Sequence, residues 1–388
     1  MSKIDELIKK HCPDGVEYKT LGEILTLEYG KALKSSDRNN GNYPVMGSNG
    51  RIGFHDTYIV EGPCILIGRK GSAGAVVWEQ ENCFPIDTTF FVSAKGKDSD
   101  LRFLYYVLQT LPLTSEKQEG GVPGINRTSV YNISIPIPPL PVQSAIANIL
   151  DKFTELEAEL EAELEARRKQ YEHYRNELLS FDNLDKREGV EYKTLGEIAK
   201  YRKERVPATV LTGKNYIGVE NLLQNRQGRT LSSSVPKTGS FIGYRVNDIL
   251  IGNIRPYLKK IWLADIDGGT NGDVLAICIN EGEKIAPKFL YYVLSSDLFF
   301  AYDTKHSKGG KMPRGDKNAV LKYPIPIPPL PVQAEIVRIL DKFDALTTDL
   351  SAGLPAELKA RRQQYEYYRD KLLTFPRMTG EPLSPAQE

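Results

Sequence analysis

The chain has 388 residues, 51 Lys and Arg against 50 Asp and Glu, and a hydrophobic fraction of 40%. This composition fits about two ordinary globular domains and excludes a disordered polyelectrolyte. No apolar run approaches the ~20 residues of a membrane span, and the start, MSKIDELIKKHC, lacks the apolar core and cleavage site of a signal peptide.

The near-neutral total is uneven. Residues 16–148 carry 12 basic and 13 acidic side chains, 149–189 carry 7 and 12, and 190–338 carry 22 and 14. A phosphate backbone responds to local charge, so the third segment is the best electrostatic candidate for nucleic acid. Cys12, Cys64, Cys83 and Cys278 are scattered without a CxxC, as expected of free thiols in a reducing cytoplasm.

An internal repeat organises the chain. Val16–Ile24 (VEYKTLGEI) returns as Val190–Ile198, and Gly62–Gly68 (GPCILIG) is echoed by Val246–Gly252 (VNDILIG). Trp78 matches Trp262, and Arg102–Leu108 (RFLYYVL) matches Lys288–Leu294 (KFLYYVL). The ends of the two halves agree while their middles differ in sequence and length, as in a duplicated module with a fixed frame and a variable interior.

Each interior reads as mixed α/β. Strands are expected at Ile65–Ile67, Ala75–Trp78 and Phe90–Val92, with counterparts at Ile249–Ile251, Lys260–Leu263 and Val274–Ile279. The FLYYVL runs read as short amphipathic helices. Pro136, Pro138, Pro139 and Pro141 make the following IPIPPLPVQ segment an extended edge or linker, because proline cannot donate to a central ladder.

A helical rod follows in each half. Its first seam is Ile146, Ile149, Phe153, Leu156, Leu160, Leu164, Tyr171, Tyr174 and Leu178, with Arg167 at one seam position. The second seam is Ile336, Ile339, Phe343, Leu346, Leu350, Leu354, Leu358, Tyr365, Tyr368 and Leu372. Gly353 and Pro355 imply a kink or restart there. Two seams in one chain can cover each other, most simply as an antiparallel pair; the alternative is that each rod packs on its own globular segment. Leu156–Glu163 is a tandem LEAE repeat, either a good helix former or an adjustable spacer. The expected segments are 1–148, a first rod 149–182, 183–338, a second rod 339–376 and a disordered tail 377–388.

Signatures of catalysis are absent. Gly30-Lys31, Gly213-Lys214 and Gly310-Lys311 lack the rest of a phosphate-binding GxxxxGK[ST] loop, and Pro138-Pro139 is followed by Leu140 where an amino-methyltransferase motif needs an aromatic residue. Gly68, Gly71 and Gly74 read as turn glycines, and His11, His55, His173 and His306 have no metal spacing. What remains is polar and basic loop chemistry. In the second half the candidates for DNA are Arg202, Lys203, Arg205, Asn253, Arg255, Tyr257, Lys259, Lys308, Lys311, Arg314 and Lys317. The first half offers a thinner set: Arg69, Lys70, Ser72, Lys117, Asn126 and Arg127. Such loops suit phosphate contacts, with Arg or Lys available for guanine edges; a solvated surface loop has the same composition.

The duplicated LGEI frame, the DILIGNIRPYLKKIW segment and the IPIPPLPVQ…ILDKF…ARRxQYExYRxxLLxF units together resemble the DNA-specificity subunits of type I restriction–modification systems. The resemblance covers nearly the whole chain. It implies two target-recognition domains, each reading half of a split site, spaced by two long helices in an antiparallel coiled coil. It implies a chain that is not itself an enzyme and binds no cofactor. S-adenosylmethionine, ATP and Mg belong to its partners, two modification (methyltransferase) subunits and restriction (endonuclease/translocase) subunits, on double-stranded DNA. The competing class is a coiled-coil scaffold whose globular domains bind protein.

Overall fold

The computed structural model describes residues 3–114, 124–348 and 353–378. Contacts divide the chain into two units, residues 1–159 with 359–388 and residues 160–358. The long helices expected as separate segments are therefore shared between the units.

In the first unit the central sheet is antiparallel, in the order Leu25–Tyr29, Thr89–Ala94, Cys64–Gly68, Val76–Glu79. In the second, the order Ala199–Tyr201, Val274–Ile279, Ile249–Gly252, Ile261–Leu263 repeats it. The expected strands are all present with ends shifted by a residue or two: Ala75 and Lys260 fall outside theirs, and Thr89–Ala94 is longer than expected at both ends. Strand alternation explains why Cys64–Ile67 and Ile249–Ile251 read as unbroken apolar runs. Ile65 and Ile67 face the core containing Phe103, Leu104 and Val107, while Cys64 and Leu66 face Met46 and Cys83. Ile249 and Ile251 likewise face Phe289 and Leu290, and Leu250 faces Tyr244 and Trp262. Both sides are covered, so neither polar-facing position nor alternation is visible in the sequence.

Each unit adds a second sheet from its variable interior. The first has Gly50–His55, Tyr43–Gly47 and Phe84–Pro85; the second has Arg205–Pro207, Ser240–Tyr244, Gly268–Thr270 and Tyr216–Ile217. The four cysteines are buried without a disulfide, and Cys64 and Cys83 lie with their Sγ atoms 3.7 Å apart.

The repeated motifs build a frame. Among the described residues Ser134–Ile137 pairs only with Glu17–Thr20, placing Pro136 opposite Tyr18, and Pro324–Ile327 pairs with Glu191–Thr194 in the same way. The proline segment is thus an edge strand rather than a linker. Thr20 and Glu23 form a capping box on Leu21–Ile24, as do Thr194 and Glu197 on Leu195–Ile198. The glutamine of PPLPVQ is fully buried. Gln143 donates to Pro138 O (2.6 Å) and Asp98 O (3.0 Å) and accepts from Asp100 N (2.8 Å). Gln333 donates to Pro328 O (2.8 Å) and Lys284 O (2.9 Å) and accepts from Ala286 N (2.8 Å). The aspartate of LDKF ties the rod to the FLYYVL helix. Tyr106 Oη donates to Asp151 and Tyr292 Oη to Asp341, each at 2.5 Å, beside Arg102 and Lys288 at 2.6 and 2.8 Å. Burial and these carboxylates push both phenols well above the usual tyrosine range.

The first rod is one helix, Leu140–Leu178. It begins directly after Pro139, with Pro141 in the first turn, where a missing N–H costs nothing. The second is divided into Leu330–Thr348 and Leu354–Leu373, so the expected restart lies at Gly353–Pro355. In the first unit Phe153 packs on Tyr365 and Tyr368, with centroids 6.4 and 5.6 Å apart. In the second, Phe343 packs on Tyr171 and Tyr174, at 6.2 and 5.3 Å. The front of each helix meets the back of the other copy, so the pairing is antiparallel. The alternative is also partly realised: Ile146 and Leu150 join the first core, Ile336 and Leu340 the second.

Seam burial is uneven. Leu164 and Leu354 are buried and Leu160, Leu358, Tyr171 and Tyr365 half-buried, but Leu156 is 45% and Leu346 38% exposed. A two-helix seam leaves its margins wet, so those two positions are weaker members than their spacing implies. Leu350 lies outside the described residues. Leu372, Leu373 and Phe375 close the first core, and Val16 N donates to Pro376 O (2.9 Å) while Met378 N donates to Val16 O (3.1 Å). Residues 377 and 378, expected in the tail, are therefore held in place; the rest of that tail lies outside the described residues.

Candidate nucleic-acid interface

In both units the loop that leaves the central strand meets the loop that precedes the last short helix. In the second unit Ile254 bridges Arg314, Arg255 N donates to Pro313 O (2.7 Å), and Gly315 N donates to Asn253 O (3.0 Å). Lys308 and Arg314 exchange backbone hydrogen bonds at 2.8 Å, which closes a basic hairpin. In the first unit Lys70 bridges Gly124 at the corresponding place. The frame thus presents one composite loop surface per unit, with different residues on each.

The second surface is the more basic. Lys308, Lys311, Arg314 and Lys317 are exposed, beside Tyr257 at 49% and Met312 at 55% exposure. Lys308 reaches Asp316 at 2.6 Å and Arg314 reaches Asp273 at 3.0 Å. Pairs this exposed are weak and exchange readily with phosphate. Tyr201 Oη donates to Lys317 O (2.8 Å), which joins the exposed Lys203 and Arg205 segment to this surface. Pro256–Leu258 is a single 3-10 turn bracketed by Arg255 and Lys259, both at φ +53°. Non-glycine residues held there cost roughly 1 kcal/mol or more each, so the surroundings must hold the turn.

The first surface centres on a residue that the sequence reading missed. Tyr29, at the end of a strand, is 50% exposed. The Arg69 guanidinium lies 4.9 Å and the Arg127 guanidinium 5.2 Å from its ring centroid. Arg69 also donates to Asp87 O (2.7 Å), and Arg127 to Tyr131 Oη (3.1 Å). Two planar cations on one exposed ring make a platform suited to bases or phosphate. Ile52 and Phe54, exposed on the strand Gly50–His55, add apolar surface of the kind that meets a thymine methyl. Nothing in the sequence marks these three as exposed, because their runs read as ordinary strand. Ser72 and Lys70 are exposed on the same loop, and Lys117 lies outside the described residues.

Four candidates are otherwise engaged. Asn126 caps the helix Arg127–Tyr131 by accepting from Thr128 N and Ser129 N, as Asp316 caps Lys317–Leu321. Arg202 holds the buried Asp248 through two bonds at 2.8 and 2.9 Å. Lys259 Nζ donates to Asp297 at 2.6 Å. Asn253 is 5% exposed, behind the loop rather than on it. Asn126→Ala is expected to cost about 1 kcal/mol by the usual worth of a cap, read as a lower unfolding midpoint in denaturant.

Below the second surface sits Asp303, fully buried, with neither carboxylate oxygen meeting a donor among the described residues. A Cβ on Gly315 would stand 2.5 Å from Asp303 Oδ1 and 2.8 Å from Asn253 Oδ1, so any larger residue there must displace these two side chains. Burial, opposed only by His306, pushes the Asp303 carboxyl up to about 6. Because the folded value is raised, the stability it confers is complete below the unfolded pKa near ~4 and is lost as pH rises through about 6. Asp303→Asn is expected to remove that loss, on the order of 2–3 kcal/mol between acid and neutral pH, in chemical denaturation followed across pH 4 to ~8.

Among the described residues no group of His, Cys, Asp and Glu could hold a metal ion, and no helix is long and apolar enough to cross a membrane. Comparison with known proteins agrees with the geometry. The type I restriction modification DNA specificity domain matches residues 13–166 and again 187–360. The chain is 34% identical to the EcoR124I/EcoR124II specificity subunit of Escherichia coli, over 97% of this chain and 98% of that one. It is 30% identical to a type I restriction enzyme specificity subunit of Haemophilus influenzae, over 93% and 96%. Its fold is similar to the crystal structure of the restriction-modification S subunit from M. genitalium, with a TM-score of 0.59 at 19% identity over 94% and 97% of the two chains. With both halves matched and both relatives covered nearly end to end, this chain belongs to the DNA-specificity subunits of type I restriction–modification systems.

Proposed function

We propose that this subunit reads an asymmetric bipartite site, one half-site per composite loop surface, with an unspecified spacer set by the long helices. The observation that supports this most is the placement of two different loop surfaces on one repeated frame. The half-sites then differ because the first surface carries Tyr29, Arg69 and Arg127, and the second carries Tyr257, Lys311 and Arg314. The chain contributes recognition and assembly but no chemistry. Methylation and cleavage reside on modification and restriction subunits docked along the helices, which supply S-adenosylmethionine, ATP and Mg. A protein of similar fold comes from work on complex assembly of the type I R-M system, which supports the docking part of this reading.

The test is DNA binding by the assembled methyltransferase as a function of salt. Replacing Lys311 and Arg314 by Ala is expected to weaken binding and to lower the log–log salt slope by about 2, close to 0.9 per phosphate contact. Unchanged binding and slope would instead favour the protein-binding scaffold.

A further inference from the structure

We infer that Asp297 is a positioning residue for recognition of the second half-site: it clamps the strained Arg255–Lys259 turn to the long helix and withholds Lys259 from DNA. The inference rests on the proposed role of that loop in reading DNA.

Asp297 opens the helix Asp297–His306, with Ser296 as its cap. Its Oδ1 accepts from Lys259 Nζ at 2.6 Å and from the Arg226 guanidinium. Its Oδ2 accepts from Asn176 Nδ2 at 3.2 Å and lies 3.9 Å from the Arg175 guanidinium. One carboxylate therefore gathers cations from the long helix, the 224–226 turn and the recognition loop. These elements also hold one another, since Arg226 N donates to Lys259 O at 2.9 Å. Arg175 and Arg226 are almost wholly buried, so without Asp297 two guanidiniums would face each other with little compensation.

The strain explains the need for a clamp. Asn225, Arg226, Arg255 and Lys259 all have positive φ, and none is glycine. The first unit solves the same loop differently. There the ten-residue span between Gly68 and Trp78 has the same length as that between Gly252 and Trp262, and Gly71 stands at the position of Arg255. Gly71 and Gly74 have positive φ without strain. Counting from the FLYYVL helix, the position of Asp297 is Leu111, an apolar residue. The acid occurs where the loop lacks glycine and is absent where the loop has it. An Asp297 that served only to begin its helix would not need three cations from three elements.

The experiment uses the full chain assembled with its modification subunits, duplexes altered in either half-site, and an unrelated duplex. Asp297→Asn is expected to release Lys259, raising binding to the unrelated duplex about 3-fold and steepening its salt slope by about 1. Discrimination at the second half-site is expected to fall about 10-fold or more, one mismatch's worth, with the first half-site unaltered and Asp297→Glu restoring most of it. Lys259→Met is expected to lose the same discrimination without the gain in unspecific binding, which covers the case in which Asp297→Asn does not fold. General destabilisation moves all duplexes together, and that result, or unaltered discrimination in both variants, overturns the clamp. The Lys311 and Arg314 replacements separate the two levels: if they too leave DNA binding unchanged, the reading of the loop itself is wrong.

Discussion

Deleting Leu156–Glu159 is expected to abolish methylation of the original site and to create methylation at a new one, with both half-sites unaltered and a shorter spacer. The residues that follow, Leu160–Glu163, repeat the deleted LEAE, so they enter the vacated positions without a change of side chain. Glu161 then stands where Glu157 stood, facing Arg362, which Glu157 meets at 2.6 Å. Four residues turn a helix by slightly more than one revolution, about 40° in excess, so the seam drifts but still faces its partner. The helix shortens by about 6 Å, a little under two base-pair steps of ~3.4 Å. Leu156 is 45% exposed, so little buried apolar area is lost with it. Sequencing of methylated bases in cells carrying the deletion decides this. An unchanged spacer with altered half-sites would refute the ruler.

A single methyl group at Gly68 is expected to be nearly as damaging to the first surface. The Cβ of Gly68→Ala would stand 2.2 Å from Ser72 O and 2.3 Å from Ser48 O, both backbone atoms of the loops that form the surface. Neither can yield without opening the turn that carries Arg69 and Lys70, so the cost is about 3 kcal/mol or more, the top of the overpacking range. Its counterpart provides the control. At Gly252 the approaches are longer, Lys260 Cβ at 3.0 Å and Val219 Cγ2 at 3.2 Å, so a few tenths of an ångström of adjustment suffice where Gly68 would meet two carbonyl oxygens. Gly252→Ala is expected to cost about 1 kcal/mol. Denaturant midpoints of the two variants should therefore differ clearly, and recognition of the first half-site should fail in Gly68→Ala while that of the second survives in Gly252→Ala. Equal midpoints would show that the two turns are under the same constraint.

The sequence was most informative where it repeats. Strands, FLYYVL helices, the proline edge and the rods were all legible, because each is written twice and periodicity is a local signal. Their purpose was less legible. The tyrosine of FLYYVL, the aspartate of LDKF and the glutamine of PPLPVQ are read as pattern in the sequence, whereas Tyr106 with Asp151, and Gln143 with the 98–100 backbone, form polar joints between rod and unit. Such joints depend on partners about 45 residues away, beyond any local rule. The same limit applies to the surfaces. Asn126 looks like a DNA contact but caps a helix, and Lys259 looks free but is bound by Asp297. Tyr29 was invisible because exposure at a strand end is decided by which loops cover it. The division of each rod between the two units was likewise hidden, since it follows from the antiparallel pairing and not from any break in the helical pattern of Leu140–Leu178.

The most direct test of the central claim is to exchange residues 25–134 for the corresponding interior of another specificity subunit and to map methylated bases genome-wide. The frame residues Val16–Ile24 and Ile135–Gln143 stay in place, so the exchange replaces one loop surface and leaves the helices intact. The expected result is a site with one half changed, the other half and the spacer retained. Methylation in which both halves change together, or in which the spacer changes with the halves intact, would contradict the assignment of one half-site to each unit.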